Sequence, residues 1–236
     1  MCGLSGLYIS RFSDIASDKL KKISQYFNSV EYKNKSSLYF RGPDEQLIFD
    51  SANLVVNFRR LTIFSSKKLV QPYKSSCGRY STLMNGEIYS VKQKASELNL
   101  PHKNLECDSQ ILAEAYSLQG ASGFSNLHGM FAGYIYDEIA NSLILVRDHF
   151  GQKPLYYYYK DDILLFSSHL KEILLLLDAL GLQYSCSTDY WFSRSVFPWL
   201  SFPNSPYQEI NQLPAGSVFS INDECTQIFK YYNVNT

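Results

Sequence analysis

Met1-Cys2-Gly3-Leu4-Ser5-Gly6-Leu7-Tyr8-Ile9 opens the chain. The run from Gly3 to Ile9 is apolar and of strand length. Removal of Met1 leaves Cys2 as the first residue, so that one residue carries both a thiol and a free α-amine. An α-amine titrates at about 7.7–8.0, so a fraction of it is available as a base near neutral pH. A thiol beside its own base is an activated nucleophile that needs no histidine. The same residues also fit an inert cysteine at the start of a buried strand, and the rest of the chain has to decide.

Working outward, residues 18–30 carry Leu20, Ile23, Phe27 and Val30 at spacings of three, four and three, one face of a helix. Strands are expected at 46–50, 54–64, 79–84 and 87–90, with Asn85-Gly86 as a turn signal between the last two. Residues 108–119 read as a helix with Asp108 at its N-cap and Gly120 just past its end. Four strands follow at 130–136, 142–147, 154–159 and 163–167, with tight turns at 137–141 and 160–162. A helix at 169–180 stops at Gly181, and 189–197 suggests another. Pro198, Pro203 and Pro206 break the chain, and a hairpin at 217–221 and 227–232 closes it. Aromatic and β-branched strands joined by short turns favour antiparallel pairing, so the class is α+β.

Bulk composition narrows the functions. The 236 residues are 45% hydrophobic and 19% charged, and 22 basic residues balance 22 acidic ones. That is a globular chain without the charge excess expected of a partner for nucleic acid or an anionic membrane. No apolar run approaches a membrane span, and no signal peptide is visible. Five cysteines at 2, 77, 107, 186 and 225 form no Cys-x-x-Cys pair and do not cluster with the four histidines. A disulfide framework or zinc site is not expected, and a reducing cytoplasm is.

Three clusters carry the chemistry: Cys2-Gly3-Leu4-Ser5-Gly6, Arg41-Gly42-Pro43-Asp44 and Asn85-Gly86-Glu87-Ile88-Tyr89. Together they resemble the class II glutamine amidotransferases, which are hydrolases with an N-terminal cysteine nucleophile. The resemblance implies a four-layer αββα sandwich of two antiparallel sheets, the Ntn-hydrolase fold, with Cys2 at the end of a central strand. It assigns Cys2 as nucleophile, and the Asn85 side-chain amide with the Gly86 N–H as donors to the oxyanion of an amide-cleaving intermediate. Substrate-binding roles fall to Arg60 for the glutamine carboxylate, Asp108 for its ammonium, and Glu87. A bidentate guanidinium suits a carboxylate. Arg59 competes with Arg60, and strand alternation lets only one of them enter the site. Asp108 remains a candidate helix cap as well.

A second set narrows the family. Gly129-Met130-Phe131-Ala132, then Arg147-Asp148-His149-Phe150-Gly151-Gln152-Lys153-Pro154-Leu155-Tyr156-Tyr157, Phe166-Ser167-Ser168-His169-Leu170-Lys171-Glu172 and Leu213-Pro214-Ala215-Gly216 are similar to the glutaminase domain of glutamine-hydrolysing asparagine synthetases. These segments read as structural: turns, sheet packing and salt bridges. The chain departs from the family at His169, where glutamate is usual, and at Phe58, where histidine is common. The resemblance runs from residue 2 to about 232, and it implies one amidotransferase domain over 2–236, with 185–236 as a closing segment and hairpin leading toward an ATP-dependent synthetase domain. No Ser-Gly-Gly-x-Asp loop is present. ATP and Mg are therefore expected only in that absent part, and no cofactor or metal in this one. The implied partners are glutamine and a synthetase domain or subunit. The alternatives are an amidotransferase serving another acceptor in trans, or a non-catalytic glutamine-binding regulatory domain.

Overall fold

The computed structural model describes residues 2–11, 14–62, 71–100, 108–197 and 205–233. In chain order the elements are β1 (Gly3–Ile9), α1 (Asp14–Asn28), α2 (Val30–Lys35), α3 (Leu38–Arg41), β2 (Glu45–Asp50), β3 (Leu54–Arg60), β4 (Tyr73–Lys74) and β5 (Tyr80–Ile88). Then come α4 (Val91–Glu97), α5 (Ser109–Gln119), a 3-10 segment (Gly120–Asn126), β6 (Gly129–Asp137), β7 (Ser142–Arg147), β8 (Tyr156–Lys160) and β9 (Ile163–Ser167). The chain continues through α6 (Leu170–Leu180), α7 (Thr188–Val196), β10 (Ile210–Gln212), β11 (Ser217–Ile221) and β12 (Thr226–Lys230).

Among the described residues the strands form two six-stranded sheets, ordered β10-β8-β9-β1-β3-β2 and β12-β11-β7-β6-β5-β4. Every strand pair is antiparallel. The two-residue period of a strand divides the apolar residues between faces. Leu4 and Tyr8 of β1, Val56 and Phe58 of β3, Leu83 of β5 and Tyr134 of β6 share one core between the sheets. Leu7 and Ile9 of β1 and Val55 of β3 face outward onto α1 and α6, where Leu20, Ile23, Phe27, Ile173 and Leu176 meet them. Met84 and Ile88 of β5 face outward onto Ile111, Leu112 and Ala115 of α5. Helices thus cover both outer faces, and the four-layer sandwich follows from three stacked apolar cores.

Four expectations need correction. Residues 79–84 and 87–90 are not two strands around a turn, because β5 runs unbroken from Tyr80 to Ile88 and pairs Asn85 with Ala132 and Gly86 with Phe131. The helix expected at 18–30 begins at Asp14 and ends at Asn28, and Ser29 then caps α2 by accepting the Tyr32 N–H. Val30 belongs to that second helix and is 73% exposed, so it does not extend the apolar face. The strand expected at 54–64 ends at Arg60, and its last two positions lie outside the described residues, as does Met1. β8 begins at Tyr156 rather than at residue 154.

Candidate active site

Cys2 immediately precedes β1 and continues its alternation, packing against the same inter-sheet core as Leu4. The register Gly3↔Arg59, carried one step further, sets Cys2 opposite Arg60. The Cys2 Sγ lies 3.7 Å from the Leu61 carbonyl. Arg60 shares the parity of Val56 and Phe58, which line the inter-sheet core, while Arg59 points to the outer face. Of the two arginines, Arg60 is therefore the one beside Cys2. Its Nη1 donates to Glu45 Oε2 at 3.0 Å, and its side chain is 15% exposed.

α3 leans on the same corner. Arg41 Nε donates to the Cys2 carbonyl at 3.4 Å. Its Nη2 is buried and finds no hydrogen-bond partner among the described residues. Burial lowers the Arg41 pKa, with the nearby Cys2 acting weakly in the other direction. Gly42 is needed here because a Cβ would sit 2.4 Å from the Arg59 carbonyl carbon. Asp44 closes the motif by accepting the Thr62 N–H at 2.6 Å.

The second half of the site lies on the other sheet, and β1 and β5 touch across the interior. Asn85 has the parity of Leu83, so its side chain faces the inter-sheet core. It is 1% exposed, and its Nδ2 has no hydrogen-bond partner among the described residues. Phe131, opposite Gly86, commits its N–H to Asp148 Oδ2 and its carbonyl to the Asp148 N–H. In an antiparallel ladder those groups point away from β5, so Gly86 faces Phe131 at a non-hydrogen-bonded position and aims its own N–H toward the open edge. Its neighbours on that edge are spoken for: Met84 N–H donates to Gln71 Oε1 and Ile88 N–H to Asp108 Oδ2. Gly86 has φ +140°, and a Cβ there would lie 2.0 Å from the Met130 carbonyl.

Asp108 occupies the N-cap position of α5 but makes no capping bond with its side chain. Its Oδ2 instead accepts the Ile88 N–H at 3.0 Å and ties α5 to the end of β5. Burial raises its pKa, partly offset by that backbone donor, and nearby Glu87 raises it further. Glu87 itself is exposed. The structure thus gathers Asn85, Gly86 and Glu87 of β5 with Asp108 at the start of α5, and sets Cys2 beside Arg60 at the other sheet.

The family-like segment after β7 is structural, as expected. Arg147 donates to the carbonyls of Lys153, Leu213 and Gly151 at 2.8, 2.6 and 2.6 Å. Asp148 gathers the N–H groups of Phe131, Phe150, Gln152 and Lys153. His169 caps α6 through Nδ1, which accepts the Lys171 N–H. Sequence reasoning overlooked the buried carboxylate of Glu172 and the outward, hydrogen-bonded placement of Arg59. The signal for the first was a glutamate on the buried face of α6, one turn before Leu175 and Leu176.

The chain matches the glutamine amidotransferase domain family over residues 1–232. It is 27% identical over 225 residues to "Asparagine synthetase [glutamine-hydrolyzing] 2" of Bacillus subtilis (strain 168), covering 94% of this chain and 29% of that protein. It is 34% identical over 141 residues to a probable glutamine-hydrolysing asparagine synthetase of Acanthamoeba polyphaga mimivirus, covering 56% of this chain and 25% of that one. The chain therefore spans only a minor part of the curated relatives it matches. Among solved structures, it resembles the glutamine phosphoribosylpyrophosphate amidotransferase of B. subtilis complexed with ADP and GMP, with a TM-score of 0.59 at 15% identity, covering 99% of this chain and 50% of that one. At that identity the likeness is one of fold.

Proposed function

The chain belongs to the glutamine amidotransferase domain family, and on that premise we propose that it hydrolyses glutamine to glutamate and ammonia through a Cys2 thioester. With Met1 removed, the Cys2 α-amine takes the thiol proton, and the sulfur attacks the side-chain amide carbon of glutamine. The oxyanion that forms accepts hydrogen bonds from Asn85 Nδ2 and the Gly86 N–H. The α-ammonium returns its proton to the leaving nitrogen, ammonia departs, and a thioester remains. Water then attacks the thioester, releasing glutamate and restoring the thiol. Arg60 holds the substrate carboxylate, Asp108 its ammonium, and Glu87 adds negative charge beside Asp108.

The observation that carries this reading is the Asn85 amide. Leaving a buried donor unpaired costs about 1–3 kcal/mol. A folded chain tolerates that cost where the donor is kept for charge that develops in a transition state. Asn85 Nδ2 is such a donor, on the face turned toward the sheet of Cys2. The relatives named asparagine synthetases extend well past the matched region. The ammonia is accordingly proposed to serve ATP-dependent amidation of a carboxylate, aspartate being the first acceptor to test, on a synthetase domain or subunit. The decisive measurement is glutamate release from glutamine by the purified chain and by Cys2→Ala, with intact mass reporting the loss of Met1. Hydrolysis confined to the chain with a free Cys2 amine is the expected result. Hydrolysis retained by Cys2→Ala overturns the mechanism.

A further inference from the structure

Resting on that reading of Cys2, we infer that Glu172 and Arg59 are positioning residues, which hold α3 from both ends so that Arg41 fixes the Cys2 backbone for attack. Glu172 is fully buried on the inner face of α6. A buried carboxylate is costly unless every lone pair is met. Here its direct partners are all neutral donors: Tyr32 Oη at 2.7 Å and Ser36 Oγ at 3.0 Å on Oε2, with the Ser37 N–H and Ser37 Oγ both at 2.7 Å on Oε1. Three of these four bonds seize the two residues that lead into α3.

The same network reaches the far end of that segment. Asn57 Nδ2 donates to Tyr32 Oη at 3.1 Å, and Gln46 Nε2 donates to Asn57 Oδ1 at 3.0 Å. Arg59 Nη1 donates to Gln46 Oε1 at 3.3 Å, and Arg59 Nε to the Gly42 carbonyl at 2.9 Å. One continuous set of hydrogen bonds therefore grips residues 36–37 and residue 42. Between them lies α3, a four-residue helix. A single turn has no stability of its own, so its placement comes from outside. What it presents is specific. Leu38 closes over Gly3, where a Cβ would lie 2.6 Å from Leu38 Cδ2, and Arg41 Nε meets the Cys2 carbonyl. Among the described residues the side chains of Glu172 and Arg59 bond to other partners than Cys2 and act on it through Arg41.

The test compares Glu172→Gln with Asp137→Asn. Asp137 is also a buried carboxylate, 5% exposed, which holds the turn after β6 by accepting the Ile139 and Ala140 N–H groups and Arg79 Nε. It pairs with Tyr80, at the opposite end of β5 from Asn85 and Gly86. Both variants lose stability, which thermal melts report, and both are assayed well below their midpoints. For Glu172→Gln the expected result is a fall in kcat for glutamine hydrolysis of about 10- to 100-fold, the scale of a misplaced reacting group. KM stays near the parent value, and Cys2 alkylation by iodoacetamide slows. Asp137→Asn keeps the parent kcat. Ser37→Ala, which removes one donor and keeps the backbone bond, shifts kcat in the same direction by less, and it stands in should Glu172→Gln not fold. A kcat for the Glu172 and Ser37 variants equal to that of Asp137→Asn overturns the inference, as does a change confined to KM. Hydrolysis surviving in Cys2→Ala would instead overturn the reading of the nucleophile, so the two failures are separable.

Discussion

Asn57 on β3 and Asn85 on β5 are both buried, 0% and 1% exposed, one in each sheet. Asn57 faces outward and is fully engaged, donating to Tyr32 and accepting from Gln46. Asn85 faces the inter-sheet core with its amide nitrogen unpartnered among the described residues. Around Asn57, the side chains of Glu172, Tyr32, Gln46 and Arg59 bond to one another and fix the backbone near Cys2. At Asn85 a donor is left without a partner among the described residues. Holding a nucleophile calls for satisfied bonds in the ground state, whereas stabilising an oxyanion calls for donors that are satisfied only when charge appears.

Gly86 offers the harshest way to break that contrast. Alanine there meets the Met130 carbonyl at 2.0 Å and must adopt φ near +140°. Overpacking and backbone strain together should cost on the order of 3–5 kcal/mol. Chemical denaturation of Gly86→Ala should show that loss, along with abolished hydrolysis. A fully stable, active Gly86→Ala would show that this stretch of β5 relaxes freely and is not a preformed donor site.

Next comes the direct exchange of roles. Asn85→Ala should lower kcat about 10²- to 10³-fold, the usual effect of removing one oxyanion donor. Its stability should stay within about 1 kcal/mol of the parent, because the lost amide nitrogen has no partner among the described residues to abandon. Asn57→Ala removes one hydrogen bond each from Tyr32 and Gln46, so a loss of about 1–3 kcal/mol in stability is expected. Paired melts and steady-state kinetics read both variants. Equal destabilisation at the two positions would erase the distinction between them.

Much of this was legible in the chain itself. Apolar runs of strand length bounded by turns located β1, β7 and β9 at their observed bounds, and the resemblance carried by Cys2 and Asn85-Gly86 pointed to the family that the match over residues 1–232 shows. The failures are instructive. Asn-Gly is a strong hairpin signal, yet here it lies inside a strand, while the two-residue turn between β8 and β9 is Asp161-Asp162, both at positive φ. Local propensity could not see that Phe131 turns its bonds toward Asp148 and leaves Gly86 room on its other side. The start of α1 was missed because Ile15 is 70% exposed and does not sharpen the apolar stripe. Arg59 and Glu172 escaped notice because their meaning depends on partners distant in sequence, Gly42 and residues 32–37.

The smallest expected effect is the most discriminating about Asp108. Burial raises its pKa in the fold, so the carboxylate is held somewhat above the usual range. An unfolded aspartate titrates near 3.9. The folded state therefore binds the proton more tightly than the unfolded state. The stability this gives is fully present below the unfolded pKa and is lost as pH rises through the folded value. Binding of the substrate ammonium runs the other way, since it needs the charged form. As pH rises through the window just above the ordinary carboxylate value, the chain should become slightly less stable while KM for glutamine falls. Asp108→Asn should flatten both profiles on the acid side and raise KM at neutral pH by about 10-fold, the scale of one charge-assisted hydrogen bond. If Asp108 served only to tie Ile88 to α5, the variant would move the melting profile and leave the pH dependence of KM where it was.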